Sequence, residues 1–164
     1  MIFVCVGSRP YQFNRLFKEL DRLVAAGRVR NEVFAQIGAS TYEPQYLAFE
    51  HFMDSDNFKA KMVEASIVIS HGASGSIMGA LSAGKCVIAV ARLEKYGEHI
   101  NDHQVGIIQS LASEGLVLAV EEMDRLGEAI EAMESGQVNL KPWKNEHPTA
   151  IIDVIDAFIQ EEVL

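Results

Sequence analysis

The 164-residue chain is 49% hydrophobic and 23% charged, enough apolar material for one sizeable core and too short for two ordinary domains, so a single domain over residues 1–164 is expected. Its formal net charge of −9, from 23 acidic against 14 basic residues, argues against a protein that grips nucleic acid by counterion release, whereas one diphosphate held by backbone amides needs no basic surface. No apolar run approaches the ~20 residues of a membrane span, no basic n-region starts the chain, and two cysteines make no disulfide framework; a cytoplasmic protein with Cys5 and Cys86 reduced in the core is expected.

Residues 2–6 are continuously apolar and predict a strand, with Gly7-Ser8-Arg9-Pro10 as the turn after it. Phe13, Leu16, Phe17, Leu20, Leu23 and Val24 recur at helical spacing and predict an amphipathic helix ended by Gly27. Residues 32–37 predict a second strand that stops at Gly38-Ala39-Ser40, and residues 46–52 a third. Asp54 or Asp56 is placed to cap a short helix over residues 57–64.

Residues 67–104 hold nearly everything that looks chemical. Ile67-Val68-Ile69-Ser70 is a buried-strand run stopping at His71 and Gly72, and the small residues 72–76 give way to helical spacing at Ile77, Met78 and Leu81, with Ser74 or Ser76 placed as cap. Strand, small-residue turn and helix N-terminus make an anion-binding arrangement, because free N–H groups and the positive end of the dipole face the ligand. Any βα turn also uses Gly and Ser for steric reasons, so the turn alone does not decide. Gly84 ends the helix, residues 86–91 form another buried strand, and the loop beyond carries Arg92, Glu94, Tyr96, Glu98, His99, Asn101, Asp102, His103 and Gln104. Two successive strands therefore deliver polar loops to the carboxyl edge of the sheet, where open parallel sheets bind ligands.

Val105, Ile108, Leu111 and Ala112 mark a helix ended by Gly115. Residues 116–120 read as a last strand, and residues 121–133 and 148–163 as helices, the latter with Ile151, Ile152, Ile155, Phe158 and Ile159 on one side. The alternation predicts an α/β, Rossmann-like, mostly parallel sheet with helices on both faces. Residues 79–86 nearly match a P-loop, but the run begins inside a helix and enters a strand, the reverse of a P-loop, so Lys85 is read as a helix C-terminal cation. His99 and His103 have no third ligand placed by the pattern, and no metal is expected.

MIFVCVGS at the start, AQIGAS at 35–40, SHGASGS, the Gly84-Lys85 pair and GEHINDHQ at 97–104 together resemble the glycosyltransferase family 28 C-terminal domain in its stand-alone form, over roughly residues 1–115. His71, Ser76 and Gly84 followed by Asp102-His103-Gln104 are likewise similar to the nucleotide-sugar signature in the C-terminal half of GT-B glycosyltransferases. The resemblance implies the donor-binding subunit of a two-part transferase, of the bacterial exopolysaccharide or capsule type or of the dolichol type. Such a subunit moves a hexose from a UDP-sugar to a lipid-linked saccharide acceptor and uses no cofactor. The resemblance further implies donor contacts from His71, Gly72, Ser74, Gly75, Ser76, Arg92, Glu98, His99, Asn101, Asp102 and Gln104, with Gly7 and Ser8 in the first loop. His71 would donate to the β-phosphate and Gln104 would touch the sugar.

Read from the residues alone, His71 can instead bond a neighbouring carbonyl, Asn101 or Asp102 can cap a helix, and Arg92 and Lys95 can be ordinary surface cations. Two positions depart from the family pattern: Gly79 stands where a glutamate grips the ribose, and Cys86 where proline usually follows Gly-Lys.

An inverting transfer needs a general base near the acceptor hydroxyl, which GT-B enzymes take from their N-terminal half. No such base is found here. The expectation is a chain inactive alone, recruited to the inner face of the membrane by a membrane-associated partner that carries the acceptor site and the base. The loop around Tyr96 and the helix at 148–163 are the candidate contact surfaces, the helix alternatively packing on its own sheet. The rival is a non-catalytic nucleotide-binding module that stabilises or regulates a partner transferase. The oligomeric state is left open, a homo-oligomer included.

Overall fold

The computed structural model describes residues 1–144. Six strands, β1 (Ile2–Cys5), β2 (Val33–Gln36), β3 (Ala48–Glu50), β4 (Ile67–His71), β5 (Cys86–Val90) and β6 (Leu118–Val120), form one sheet in the order β3-β2-β1-β4-β5-β6. Every pairing is parallel. The helices are α1 (Asn14–Ala25), α2 (Ser55–Glu64), α3 (Ser74–Ser82), α4 (His103–Ser113) and α5 (Leu126–Glu134). None is long and apolar enough to cross a membrane among the described residues.

The apolar strand runs follow from burial on both faces. Ile2 and Val4 of β1 pack with Leu16, Phe17 and Leu20 of α1 and Ile130 of α5, whereas Phe3 and Cys5 pack on the other face with Ile77 and Ala80 of α3 and Ile108 of α4. The predicted α/β architecture with helices on both faces is observed. Asp54 caps α2, accepting from the amides of Asp56 and Asn57. Lys85 donates to the Val63 carbonyl at 2.7 Å, in the last turn of α2, so it is a C-terminal cation for α2.

Three local expectations are corrected. Helix α3 already starts at Ser74, with Ala73 in the cap position and no side-chain cap, so neither Ser74 nor Ser76 caps it. Cys86 opens β5 with its side chain exposed, and only Cys5 is a core thiol. A 3-10 turn over Met123–Arg125 precedes α5 where one continuous helix was expected. The expected helix at 148–163 lies outside the described residues.

The order reverses between the neighbouring strands β1 and β4, whose following helices pack on opposite faces of the sheet, α1 on one and α3 on the other, leaving a crevice at the carboxyl ends of the two strands. Their register pairs Cys5 with Ser70, and β4 to β5 pairs His71 with Val90. The three loops starting after Cys5, His71 and Val90 therefore emerge side by side.

Candidate functional site

Gly7 turns the chain out of β1 at φ +74°, a left-handed conformation that side chains resist, and a Cβ there would lie 3.0 Å from Cε1 of His71. The His71 ring thus rests against the first loop. Its Nδ1 lies 3.3 Å from the Cys5 carbonyl, which can only accept, so Nδ1 carries the proton and Nε2 of the neutral ring is an acceptor. Burial, reinforced by the nearby Arg92 charge, pushes its pKa down to about 4. In this state the ring offers the concavity an acceptor, and it could donate there only after taking up a proton.

Gly72 has a different reason to be glycine: a Cβ would stand 2.6 Å from Cβ of Gln104 and 3.0 Å from its carbonyl oxygen. It lets α4 approach β4 closely. Because no side chain caps α3, the N–H groups of Ser74, Gly75 and Ser76 in its first turn are left for solvent or a ligand.

The loop after β5 is held by side chains at four successive residues. Arg15 Nη2 donates to the Ala91 carbonyl at 2.6 Å, and the Arg92 amide donates to Gln104 Oε1 at 3.1 Å. The Leu93 amide donates to Glu98 Oε2 at 2.9 Å and the Glu94 amide to Asp102 Oδ1 at 2.7 Å. Glu98, only 1% exposed, also accepts from Arg15 Nε at 2.7 Å. Both Glu98 oxygens and one Asp102 oxygen are therefore already engaged, Glu98 Oε1 by the Arg15 side chain and Glu98 Oε2 and Asp102 Oδ1 by loop amides. Asp102 occupies the cap position of α4 without capping it, and Asn101 Oδ1 accepts from the His103 amide and ring.

What the three loops enclose is an open concavity of roughly 370 Å³, lined by Arg9 and Tyr11 after β1, by His71 and Ala73 to Gly75, and by Arg92, His99, Ile100, His103, Gln104 and Ile107. Arg92 is 1% exposed, so it is not the ordinary surface cation that its residue type alone left open. Its Nη2 donates to the Tyr11 carbonyl at 2.9 Å, its guanidinium carbon lies 5.6 Å from the centre of the Phe13 ring, and its Nε has no partner among the described residues. No carboxylate comes within 4.0 Å of it among the described residues. Burial pushes its pKa down to about 10, with Glu98 partly offsetting. His99 Nδ1 is also buried without a partner among the described residues, its ring 4.8 Å from those of both Tyr11 and His103. Burial lowers its pKa first, then the neighbouring His103 and Arg92.

A second hollow of roughly 190 Å³, lined by Gly7, Ser8, Gln36, Phe52, Met53, Phe58 and Ser76, sits toward β2 and β3. Gln36 braces its rim, accepting from the Val6 and Gly7 amides and donating to the Gly7 and His51 carbonyls.

The expected site residues thus divide. His71, Ser74, Gly75, Arg92, His99 and Gln104 share the concavity, and Gly7, Ser8 and Ser76 border the second hollow. Gly72, Glu98, Asn101 and Asp102 support the loops from outside the lining. Arg9, Tyr11 and His103 are lining residues the sequence reading missed. For Arg9 and Tyr11 the available signal was their place just after β1, whose carboxyl end borders that of β4.

A family profile, the glycosyltransferase family 28 C-terminal domain, matches residues 1–155. The chain belongs to this family. The family 28 domain is similar in structure to ALG13, solved in solution by NMR, with a TM-score of 0.59 at 16% identity over 93% of this chain and 94% of that one. It is also similar to Acinetobacter baumannii MurG, with a TM-score of 0.53 at 17% identity over 83% of this chain, and it spans 41% of the MurG chain. At these identities the likenesses speak to the fold, which is that of the C-terminal half of GT-B enzymes. Among curated protein sequences nothing matches the chain.

Proposed function

We propose that residues 1–164 act as one nucleotide-sugar-binding unit, the donor subunit of a two-component hexosyltransferase. The carrying observation is Arg92, a buried guanidinium with, among the described residues, an unpartnered Nε and no paired carboxylate, lining a concavity that opens on the uncapped N-terminus of α3. An isolated buried cation is costly to a fold and gains its counter-charge from a bound anion. The diphosphate of a UDP-sugar supplies that charge, and helix amides with Arg92 stabilise the leaving diphosphate as negative charge builds on it. His71, after protonation, adds a further donor, and Gln104 and His99 border the sugar. Transfer of the hexose to a lipid-linked saccharide needs a base that a membrane-associated partner provides, which also recruits this chain to the inner face of the membrane.

Gly79 favours the second reading, a non-catalytic nucleotide-binding module that stabilises or regulates a partner, because no carboxylate stands where the family grips ribose. Two measurements test and separate the readings. Calorimetry with UDP should give weak but saturable binding to the chain alone; no heat at millimolar UDP with an intact fold overturns both. Transfer of hexose to a lipid-linked acceptor, measured with the chain alone, a co-expressed partner alone and the pair, should appear only with the pair. Full transfer by the partner alone leaves the regulatory reading.

A further inference from the structure

We propose that Arg15 is a positioning residue that keeps Glu98 away from Arg92, so that Arg92 stays available to an anionic ligand. The proposal rests on the reading above that Arg92 receives the diphosphate. Two guanidiniums pack on one ring, with Arg15 5.1 Å and Arg92 5.6 Å from the centre of Phe13. Glu98 carries the buried carboxylate of this neighbourhood, and its charge reaches Arg92. It nevertheless pairs with Arg15 alone, Nε to Oε1 at 2.7 Å, while Oε2 accepts the Leu93 amide at 2.9 Å.

Arg15 is itself fixed from several sides. Its Nη2 donates to the Ala91 carbonyl at 2.6 Å, and its guanidinium stacks 5.0 Å from the Tyr96 ring centre. Gln12 holds the same loop through the Tyr96 carbonyl at 2.8 Å. Without Arg15, Glu98 would be a buried carboxylate lacking its ion pair, a state costly enough to drive it onto the nearest remaining cation. Arg92 is a cation that this charge already reaches, and its Nε, without a partner among the described residues, offers a donor. The pair so formed would cancel the charge that the diphosphate needs. Arg15 thus acts on the ligand through Glu98, without touching it.

The prediction is a suppressor relationship, which loss of packing alone does not produce. UDP is titrated by calorimetry into the full chain as wild type, Arg15→Met, Glu98→Gln and the double variant, with urea midpoints measured alongside. Arg15→Met should weaken UDP binding by about tenfold or more, the scale of one charge-assisted contact. Glu98→Gln removes the carboxylate charge that reaches Arg92 and keeps one oxygen to accept from either the Leu93 amide or Arg15 Nε, so it should bind UDP more tightly than Arg15→Met. The double variant should bind UDP more tightly than Arg15→Met, despite carrying two changes. Should Arg15→Met not fold, Arg15→Lys with and without Glu98→Gln gives the same comparison, because lysine cannot reach both Glu98 and the Ala91 carbonyl in the forked geometry of arginine. Additive losses, or Glu98→Gln as weak as Arg15→Met, overturn the inference and leave the donor site standing. Wild type that binds no UDP overturns the donor site and this inference with it.

Discussion

Replacing His71 with asparagine should flatten the acid limb of the stability profile. In the folded chain His71 takes a proton only near pH 4, because its ring is buried and near Arg92, whereas its reference value is 6.5. Between those values the unfolded chain holds a proton that the folded chain refuses. Stability is therefore complete above pH 6.5 and declines as pH falls toward and through 4. The displacement corresponds to about 3 kcal/mol at the acid end, a large share of the roughly 5–15 kcal/mol that holds a domain together. Asparagine is the informative replacement, since its Nδ2 can donate to the Cys5 carbonyl where Nδ1 does now and it cannot titrate. Urea unfolding from about pH 4 to about pH 7.5 should show wild type losing about 3 kcal/mol more than His71→Asn across that range. Parallel profiles in the two proteins would refute the placement of His71 as a neutral buried ring. The same site couples to ligand: a phosphate oxygen against Nε2 favours the proton, so UDP affinity of wild type should fall as pH rises, and that of the variant should not.

Arg92→Met removes a buried unpaired charge at similar volume, so its urea midpoint should hold or rise while UDP affinity drops about tenfold or more; lost stability with unchanged affinity would count against Arg92 as an anion ligand. Gly72→Ala should destabilise the fold by on the order of 1–3 kcal/mol, since the added carbon would meet Gln104 Cβ at 2.6 Å, and thermal unfolding measures it. Gly79→Glu enters open space, with nothing within 4 Å of its Cβ; the fold should tolerate it, and calorimetry should show tighter UDP binding. Unchanged affinity there would remove ribose recognition from that face of α3.

The periodicities of the chain determined its elements, because parallel strands buried on both faces must be continuously apolar and their crossover helices must be amphipathic. From β1 to β6 each expected strand is present within a residue or two, and the turns after β4 and β5 stand at the site as expected. Sequence did not reveal which polar residues line the concavity. GEHINDHQ offers Glu98, His99, Asn101, Asp102 and Gln104 as candidates, but hydrogen-bond direction sorts them. Glu98 and Asp102 hold the backbone of their own loop, while His103 reaches the concavity. Nor did sequence show that Arg92 is buried, since it is the β1 loop, through Tyr11 and Phe13, that covers it. Those contacts join residues about eighty positions apart in the chain, and only the strand order that sets β1 beside β4, with β5 next to it, brings them together. Local pattern fixes the elements because it is read within a few residues; burial and charge pairing at the site depend on loops from three strands meeting, which tertiary structure alone decides.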